Sequence, residues 1–257
     1  MLQKYRAELN ELGLKTSADL EKLVKPLIRN ASRIIVKPPS EPPQNSRLIS
    51  HFGDDPYFEK GEKWPESLSG KPLDFIFQIF NEPGLVLPEE VKLIQFYYDW
   101  DVFPRDTENA GWQVKIYKDV SREKSIFITR SGETEKSEYC ELDFIQTKSL
   151  PDWEGIDTYE SNASKLSCVL NEDKPWEKYK EVVSKLIGEQ DYQSQLGGYP
   201  QWVQGENTPE DENGNPMELL FQIDSEENAG LNWGDTGLIY VFYDAQSGNI
   251  DFKQQCF

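Results

Sequence analysis

The sequence has little of what metal and redox chemistry needs. It contains one His in 257 residues, so a multi-histidine metal site is excluded. The three cysteines, Cys140, Cys168 and Cys256, form no CxxC pair, and neither a disulfide framework nor a cysteine-zinc site is indicated. The phosphate-binding patterns GxGxxG and GxxxxGK[ST] are absent. We therefore predict no cofactor, no metal and no catalytic residue.

Long apolar runs are also lacking. No stretch approaches the roughly 18 apolar residues of a membrane-spanning helix. Charged residues interrupt every short apolar stretch of residues 1–20, which is unlike a signal peptide or a membrane anchor. With an odd number of scattered cysteines, these features predict a cytoplasmic protein with reduced thiols and no membrane contact.

Basic residues are scarce and unevenly placed. The chain holds 27 Lys and Arg against 46 Asp and Glu, a net charge of −19, and residues 1–50 alone carry a net charge of +4. An acidic surface repels phosphate backbones, so we expect no nucleic-acid partner. It attracts basic proteins, basic peptides and divalent cations. The alternative is that the acidity only keeps the protein dispersed in solution.

The chain carries an apparent internal repeat. Residues 51–58 (HFGDDPYF) match residues 195–202 (QLGGYPQW) at an offset of 144, and the same offset aligns PLDFIFQI at 72–79 with PMELLFQI at 216–223. With one inserted residue, LIQFYYD at 93–99 aligns with LIYVFYD at 238–244. We predict a mainly β fold with a few peripheral helices (α+β), built by internal duplication of a β-rich unit with pseudo-twofold symmetry.

This prediction divides the chain into three segments. Residues 1–46 form a helical segment and a Pro-rich strap, residues 47–150 the first β repeat, and residues 151–257 a helix with the second β repeat. Because no flexible linker joins the halves, we expect them to form one intertwined domain.

The repeated blocks predict four strands, at 72–79, 93–99, 216–223 and 238–244. By the two-residue period, the first strand puts four apolar residues on one core face, and the third strand does the same. These residues are Leu73, Phe75, Phe77 and Ile79 in the first strand, and Met217, Leu219, Phe221 and Ile223 in the third. Further strands are predicted at 114–118, 125–130 and 166–170.

Three segments have helical patterns. Residues 2–12 and the segment from Ser17 to residue 29 are predicted as helices, with Pro26 shortening the second. A third helix starts at Pro175 and stops at Gly188, with an apolar stripe of Trp176, Tyr179, Val183 and Leu186. The Pro-rich residues 37–47 between the helices and the first repeat indicate an extended strap.

The candidate binding residues come from the repeat and from the aromatic loops. Gln78 and Gln222 hold equivalent positions, and with Asp74 and Glu218 they are candidates for a polar cleft between the halves; the alternative is that the glutamines satisfy backbone groups. Trp202 and Trp233, beside Asp235, are candidates for a binding patch or for core packing. His51 is either a base or a polar residue at a loop edge.

The blocks FGDDP, PLDFIFQI, LGGYPQWVQ, LLFQIDS and NWGDTGLIYVFYD resemble the YwqG family of uncharacterised bacterial proteins over about residues 47–257. The resemblance implies a mainly β, internally duplicated fold with a few peripheral helices. It implies no established activity, so no functional residue is carried over from the family.

Our leading hypothesis is a non-enzymatic module that binds a basic protein or peptide, because the charge is asymmetric and no coherent catalytic set is present. The alternative is a small-molecule or divalent-metal-dependent enzyme, with Asp54, Asp55, Asp235 and the two glutamines in a cleft between the repeats. A structural role without a stable ligand is a third possibility.

Overall fold

A computed structural model describes residues 1–101, 111–130 and 137–257 of the chain. Its centre is a ten-stranded antiparallel sheet in the order β12-β11-β10-β9-β1-β8-β2-β4-β5-β6, and β3 pairs separately with β7. The fold is therefore mainly β, as predicted. The strands are β1 (Arg29–Val36), β2 (His51–Phe52), β3 (Phe58–Glu59), β4 (Asp74–Phe80), β5 (Leu93–Tyr98), β6 (Trp112–Tyr117), β7 (Ser125–Ile126), β8 (Cys140–Ser149), β9 (Gln195–Gly197), β10 (Glu218–Asp224), β11 (Leu238–Tyr243) and β12 (Ile250–Gln255).

The sheet curls until side chains of its two edge strands meet. Trp112 of β6 stacks on Phe252 of β12 with 5.2 Å between ring centroids. The Tyr98 hydroxyl of β5 donates to Oε1 of Gln254 at 2.7 Å. Phe77 of β4 faces Phe221 of β10 across the interior, with centroids 5.1 Å apart. The inward faces of the strands thereby enclose one apolar core.

A β-bulge changes the predicted faces of β4. The pairing with β5 shifts between Phe75 and Phe77, so Ile76 is an extra residue in the ladder. Leu73 and Phe75 consequently pack on the outer face, whereas Phe77 and Ile79 face the enclosed core. The prediction that all four share one face is therefore wrong.

The same irregularity occurs in β10. The pairing with β11 shifts between Leu219 and Phe221, which puts Met217 and Leu219 outside and Phe221 and Ile223 inside. A strict two-residue period cannot anticipate a bulge, because the inserted residue reverses every side chain that follows it.

The sheet centre contains two strands that the sequence patterns did not indicate. Strand β1 pairs with β8 over eight residues, from Arg29 opposite Ser149 to Val36 opposite Leu142. Its other edge pairs with β9. Through these pairings β1 connects the strands before residue 150 to the strands after residue 194 in one sheet. The three proposed segment boundaries stay a prediction.

The described residues form five α-helices. All five contribute buried residues to a second apolar cluster, which includes Leu9, Leu20, Ile156, Leu166 and Tyr179. Thr16 caps α2 in a reciprocal arrangement with Asp19, and α2 ends at Val24, before a short 3-10 turn that contains Pro26. The helices are α1 (Leu2–Glu11), α2 (Ser17–Val24), α3 (Ile156–Tyr159), α4 (Ser161–Leu170) and α5 (Pro175–Ile187).

Two details of the helices differ from the sequence-based expectation. Residues 166–170, predicted as a strand, belong to α4, where Ala163, Leu166 and Ser167 are buried at helical spacing. In α5, Tyr179 and Val183 are buried as expected, but Trp176 is 47 % exposed. Among the described helices, none is both long enough and apolar enough to cross a bilayer.

Candidate ligand-binding cleft

The Asp152 cleft, as we name it, is a depression of about 260 Å³ between the start of α5 and the segment that follows β8. Strand β8 ends at Ser149, and residues 150–155 then turn the chain into α3. The Gln190 side chain holds this turn by accepting from the Leu150 N–H at 3.0 Å and donating to its carbonyl at 2.8 Å. The cleft thus lies at the junction between sheet and helices, where both elements fix its walls.

The lining of the cleft includes the carboxylate of Asp152. This carboxylate accepts the backbone N–H of Gly155 at 2.8 Å and that of Trp202 at 2.5 Å. Burial raises the pKa of Asp152 to about 7, since removal of water from the charged form outweighs the two hydrogen bonds that lower the pKa. The side chain is therefore a carboxyl that gains or loses its proton near neutral pH.

Aromatic side chains form the walls. The Tyr179 hydroxyl donates to the Pro151 carbonyl at 2.8 Å. The ring of Trp153 lies beside the ring of Tyr179, with 6.1 Å between the ring centroids. Trp176 and Tyr192 line the cleft and are 47 % and 43 % exposed. The structure therefore places two exposed aromatic rings in a cleft that also contains a carboxyl group.

The rim is acidic. Asp191 lines the cleft, and Glu154 is close enough to raise the pKa of Asp152. The cation in the lining, Lys180, has Glu189 within 3.8 Å. A buried carboxylate, aromatic faces and an acidic rim are features that stabilise a cationic group.

Trp202, a predicted binding residue, contacts this site through its backbone. Its backbone N–H binds Asp152, whereas its ring is buried against Tyr240, with centroids 4.6 Å apart. It therefore orients the carboxylate without presenting its own ring to a ligand.

The two predicted glutamines are buried and have separate partners. Oε1 of Gln78 accepts the Tyr57 N–H at 2.9 Å, and its amide donates to the Ile49 carbonyl at 2.9 Å. Gln222 makes the equivalent bonds at the other end of the sheet: it accepts the Gln201 N–H at 3.0 Å and donates to a backbone carbonyl at 2.7 Å. The structure does not bring Gln78 and Gln222 together, because each lies under its own loop.

The other predicted binding residues are dispersed. Asp74 forms an ion pair with Arg130, and Glu218 is exposed at the start of β10. Trp233 is fully buried and stacks on Trp100 at 5.1 Å. Asp235 is exposed, and its backbone carbonyl accepts the Phe257 N–H at 3.2 Å.

His51 is a buried residue at the start of β2. Its ring contacts Phe75 and Tyr139, and burial lowers its pKa to about 4 despite the nearby Asp54 and Asp55. The imidazole is thus neutral at neutral pH. No three His, Cys, Asp or Glu side chains among the described residues are grouped so that they could hold a metal ion.

The residues that form this cleft were missed in the sequence. Asp152 and Trp153 belong to PDWEG, at residues 151–155, and an acidic residue is uninformative in a chain with 46 of them. The one available signal was that the dipeptides DW, PW and DY, at positions 152–153, 175–176 and 191–192, each end in an aromatic residue and that two of them begin with Asp. The fold brings these three aromatic residues and two aspartates to one cleft.

The family model described as "Domain of unknown function (DUF1963)" matches residues 50–257 of the chain. The matched region contains every residue of the Asp152 cleft, while α1, α2 and β1 lie before it. No curated protein matches the sequence.

Proposed function

This chain belongs to the DUF1963 family, and we propose that it is a non-enzymatic binding protein that takes a basic side chain of a partner protein or peptide into the Asp152 cleft. The observation that carries the proposal is that the Asp152 carboxyl and the exposed rings of Trp176 and Tyr192 line the same cleft. A guanidinium group in this position forms charge-assisted hydrogen bonds with the carboxylate and lies against aromatic faces.

The size of the cleft favours a side chain over a substrate. Pockets for drug-sized ligands have volumes of about 300–1,000 Å³. The Asp152 cleft, with about 260 Å³, lies below that range and suits the end of one long side chain. The remainder of the partner would then lie on the surface around the mouth.

Charge supports the same class of partner. Residues 51–257 hold 18 basic and 41 acidic residues, a net charge of −23. Such a surface attracts a basic partner and speeds its approach, and the attraction weakens as salt is added. The rim acids beside Asp152 place part of that charge at the binding point.

The alternative function, an enzyme with a carboxylate and glutamine cleft between the repeats, has less support. Gln78 and Gln222 use their amides on backbone groups of two separate loops. Both are fully buried, which leaves neither open to a substrate. We therefore favour the binding function.

The proposal includes the finer assignment of the chain as a bacterial, cytoplasmic protein of the YwqG type whose two β-rich parts derive from a duplication. Matching hydrogen bonds support the duplication, since Gln78 and Gln222 each accept a backbone N–H 21 positions earlier in the chain. The pairs Glu66–Pro72 and Glu210–Pro216 form matching bridges at the same offset of 144. The domain boundaries proposed from the sequence belong to this interpretation.

The test compares a peptide with one charged side chain against its neutral isostere. We would titrate the protein with acetyl-Gly-Arg-Gly-amide and with the same peptide that carries citrulline, and follow tryptophan fluorescence at pH 8. The arginine peptide is expected to bind at least about tenfold more tightly, which corresponds to the strength of a charge-assisted contact.

Two variants locate the binding. Trp176→Ala is expected to weaken arginine-peptide binding without unfolding the protein, because Trp176 is 47 % exposed. Phe127→Ala removes an equally exposed aromatic ring outside the cleft, 54 % exposed, and is the matched control. Equal affinity for the two peptides, or equal loss in both variants, contradicts the proposal.

A further inference from the structure

A second cleft, which we call the Arg29 cleft, lies at one end of the curled sheet. It forms where β1 and β10 begin and β9 and β11 end, and its volume is about 500 Å³. The loop between β4 and β5 closes one side with Val86, whose N–H donates to the Ser32 hydroxyl at 3.0 Å. This size lies within the range of small-molecule sites.

Two glycines line this cleft at points where neighbouring segments approach the backbone closely. Gly197 and Gly198 have positive φ angles of 62° and 74°. A Cβ atom at Gly197 would lie 2.5 Å from Cγ1 of Val86, and one at Gly198 would lie 2.7 Å from Cβ of Ser149. The close approach of the loop and of β8 to this backbone therefore requires glycine at both positions.

Arg29 provides a fixed positive charge. Its guanidinium lies 4.3 Å from the ring centroid of Tyr199 and 5.8 Å from that of Tyr159. The Tyr199 hydroxyl is itself fixed, because it donates to the Leu27 carbonyl at 2.8 Å. A half-buried guanidinium held on aromatic rings is positioned in advance for an anionic group.

Glu218 provides the opposite charge in the same cleft. It is exposed at the start of β10 and lines the same cleft as Arg29. Burial raises the pKa of the Tyr199 hydroxyl, and the charge of Glu218 adds a smaller increase. Within the described parts of the chain, no carboxylate approaches Arg29 closely enough for an ion pair, Glu218 included. The two charges thus share a cleft without meeting.

The lining of this cleft is mostly apolar. It includes Val86, Leu87 and Pro88 from the loop between β4 and β5, and Leu219 and Leu220 from β10. A pocket that is mainly apolar with a few convergent polar groups is the usual form of a small-molecule site. The two opposite charges in its lining fit a ligand that carries both an anion and a cation.

We propose that the Arg29 cleft binds a small zwitterion with an apolar body, of the size of a dipeptide, whose carboxylate pairs with Arg29 and whose ammonium group pairs with Glu218. The site is separate from the Asp152 cleft, so it does not depend on the function proposed above. The two sites also differ in chemistry, because no arginine is among the described residues that line the Asp152 cleft.

The test uses the dipeptide Leu-Leu with free termini as the probe, with acetyl-Leu-Leu and Leu-Leu-amide as probes that each lack one charge. Binding is measured by isothermal titration calorimetry at low salt. Leu-Leu is expected to bind in a saturable manner, and each blocked dipeptide to bind about tenfold more weakly, as loss of one charged contact requires.

The variants assign each charge. Glu218→Gln is expected to abolish the preference for Leu-Leu over acetyl-Leu-Leu and to leave the fold intact, since Glu218 is exposed. Arg29→Gln is expected to abolish the preference over Leu-Leu-amide. Arg33→Gln, an exposed arginine in the same strand β1, is the matched control and should retain both preferences.

Three results would overturn the proposal. They are the absence of saturable Leu-Leu binding to the unmodified protein, equal affinity for the three probes, and a control variant that loses binding as much as the two cleft variants. If Arg29→Gln fails to fold, the proposal is tested with Glu218→Gln alone. A Glu218→Gln variant that still prefers Leu-Leu over acetyl-Leu-Leu would then overturn it.

Discussion

The titration of Asp152 gives the sharpest prediction, because its folded-state pKa lies far from its usual value. Burial raises the pKa from 3.8 to about 7. The folded protein therefore binds a proton that the unfolded chain has released, between about pH 4 and pH 7. Stability is lost as pH rises through this window. With about 1.4 kcal/mol for each pKa unit, the full loss above pH 7 is at most about 4 kcal/mol.

Asp152→Asn removes the titration and keeps the shape. The amide oxygen still accepts one of the two backbone N–H groups, from Gly155 or Trp202, and loss of the other bond costs about 1 kcal/mol at every pH. The variant's free energy of unfolding, relative to the unmodified protein, should rise by about 3 kcal/mol from pH 5 to pH 8, since about two pH units of that range lie below the folded pKa.

Urea unfolding followed by circular dichroism measures this difference at both pH values. Asp173→Asn changes an exposed carboxylate outside the cleft and serves as the control, with an expected effect below about 0.5 kcal/mol. The free energy of unfolding of Asp152→Asn relative to the unmodified protein could instead stay constant between pH 5 and pH 8. That result would refute the argument that burial disfavours the charged carboxylate and raises the pKa of Asp152.

Three further predictions concern stability. Burial lowers the pKa of His51 from 6.5 to about 4, so the free energy of unfolding should fall by up to about 3 kcal/mol as pH falls through that window. His51→Gln should remove this pH dependence, which urea unfolding at pH 7 and pH 4.5 measures. Gln222→Leu leaves the buried Gln201 N–H without its acceptor, and a loss of about 1–3 kcal/mol for each unpaired group is expected in the same assay. Gly198→Ala places a Cβ 2.7 Å from Ser149 at φ +74°, and should lower thermal stability by about 1–3 kcal/mol; an unchanged melting temperature would contradict this packing.

Local sequence patterns predicted much of the β-rich fold. The blocks at 72–79 and 216–223 fall on β4 and β10, and those at 93–99 and 238–244 on β5 and β11. Their aromatic and β-branched composition encodes strand formation directly. The bulge at Ile76 was not predictable, because it depends on how β4 pairs with β5 and not on the residues of β4 alone.

The sheet centre was missed for a different reason. Strands β1 and β8 pair although Arg29 and Ser149 are 120 positions apart, and neither strand has a regular alternation over its full length. Their conformation is decided by partners that lie far away in the chain. Tertiary context of this kind overrides the local propensity on which the sequence analysis depended.

For the candidate sites as well, composition predicted the overall charge, whereas only the fold showed which residues lie together. The acidity and the expected basic partner followed from composition, but Asp152 became distinctive only when the fold buried its carboxyl beside Trp202. Helical spacing assigns Trp176 to the apolar stripe of α5, yet its side chain is 47 % exposed and lines the cleft. Spacing along a helix defines a face, and the neighbouring elements decide how much of that face is covered.

The most direct test of the central claim is the pKa of Asp152 itself, measured by carbon-13 NMR of its carboxyl group with and without acetyl-Gly-Arg-Gly-amide. The account predicts a pKa of about 7 in the free protein and a clear fall when the peptide is bound, because a guanidinium beside the carboxyl stabilises its charged form. A pKa that does not change at saturating peptide would contradict the claim that the Asp152 cleft receives the basic side chain.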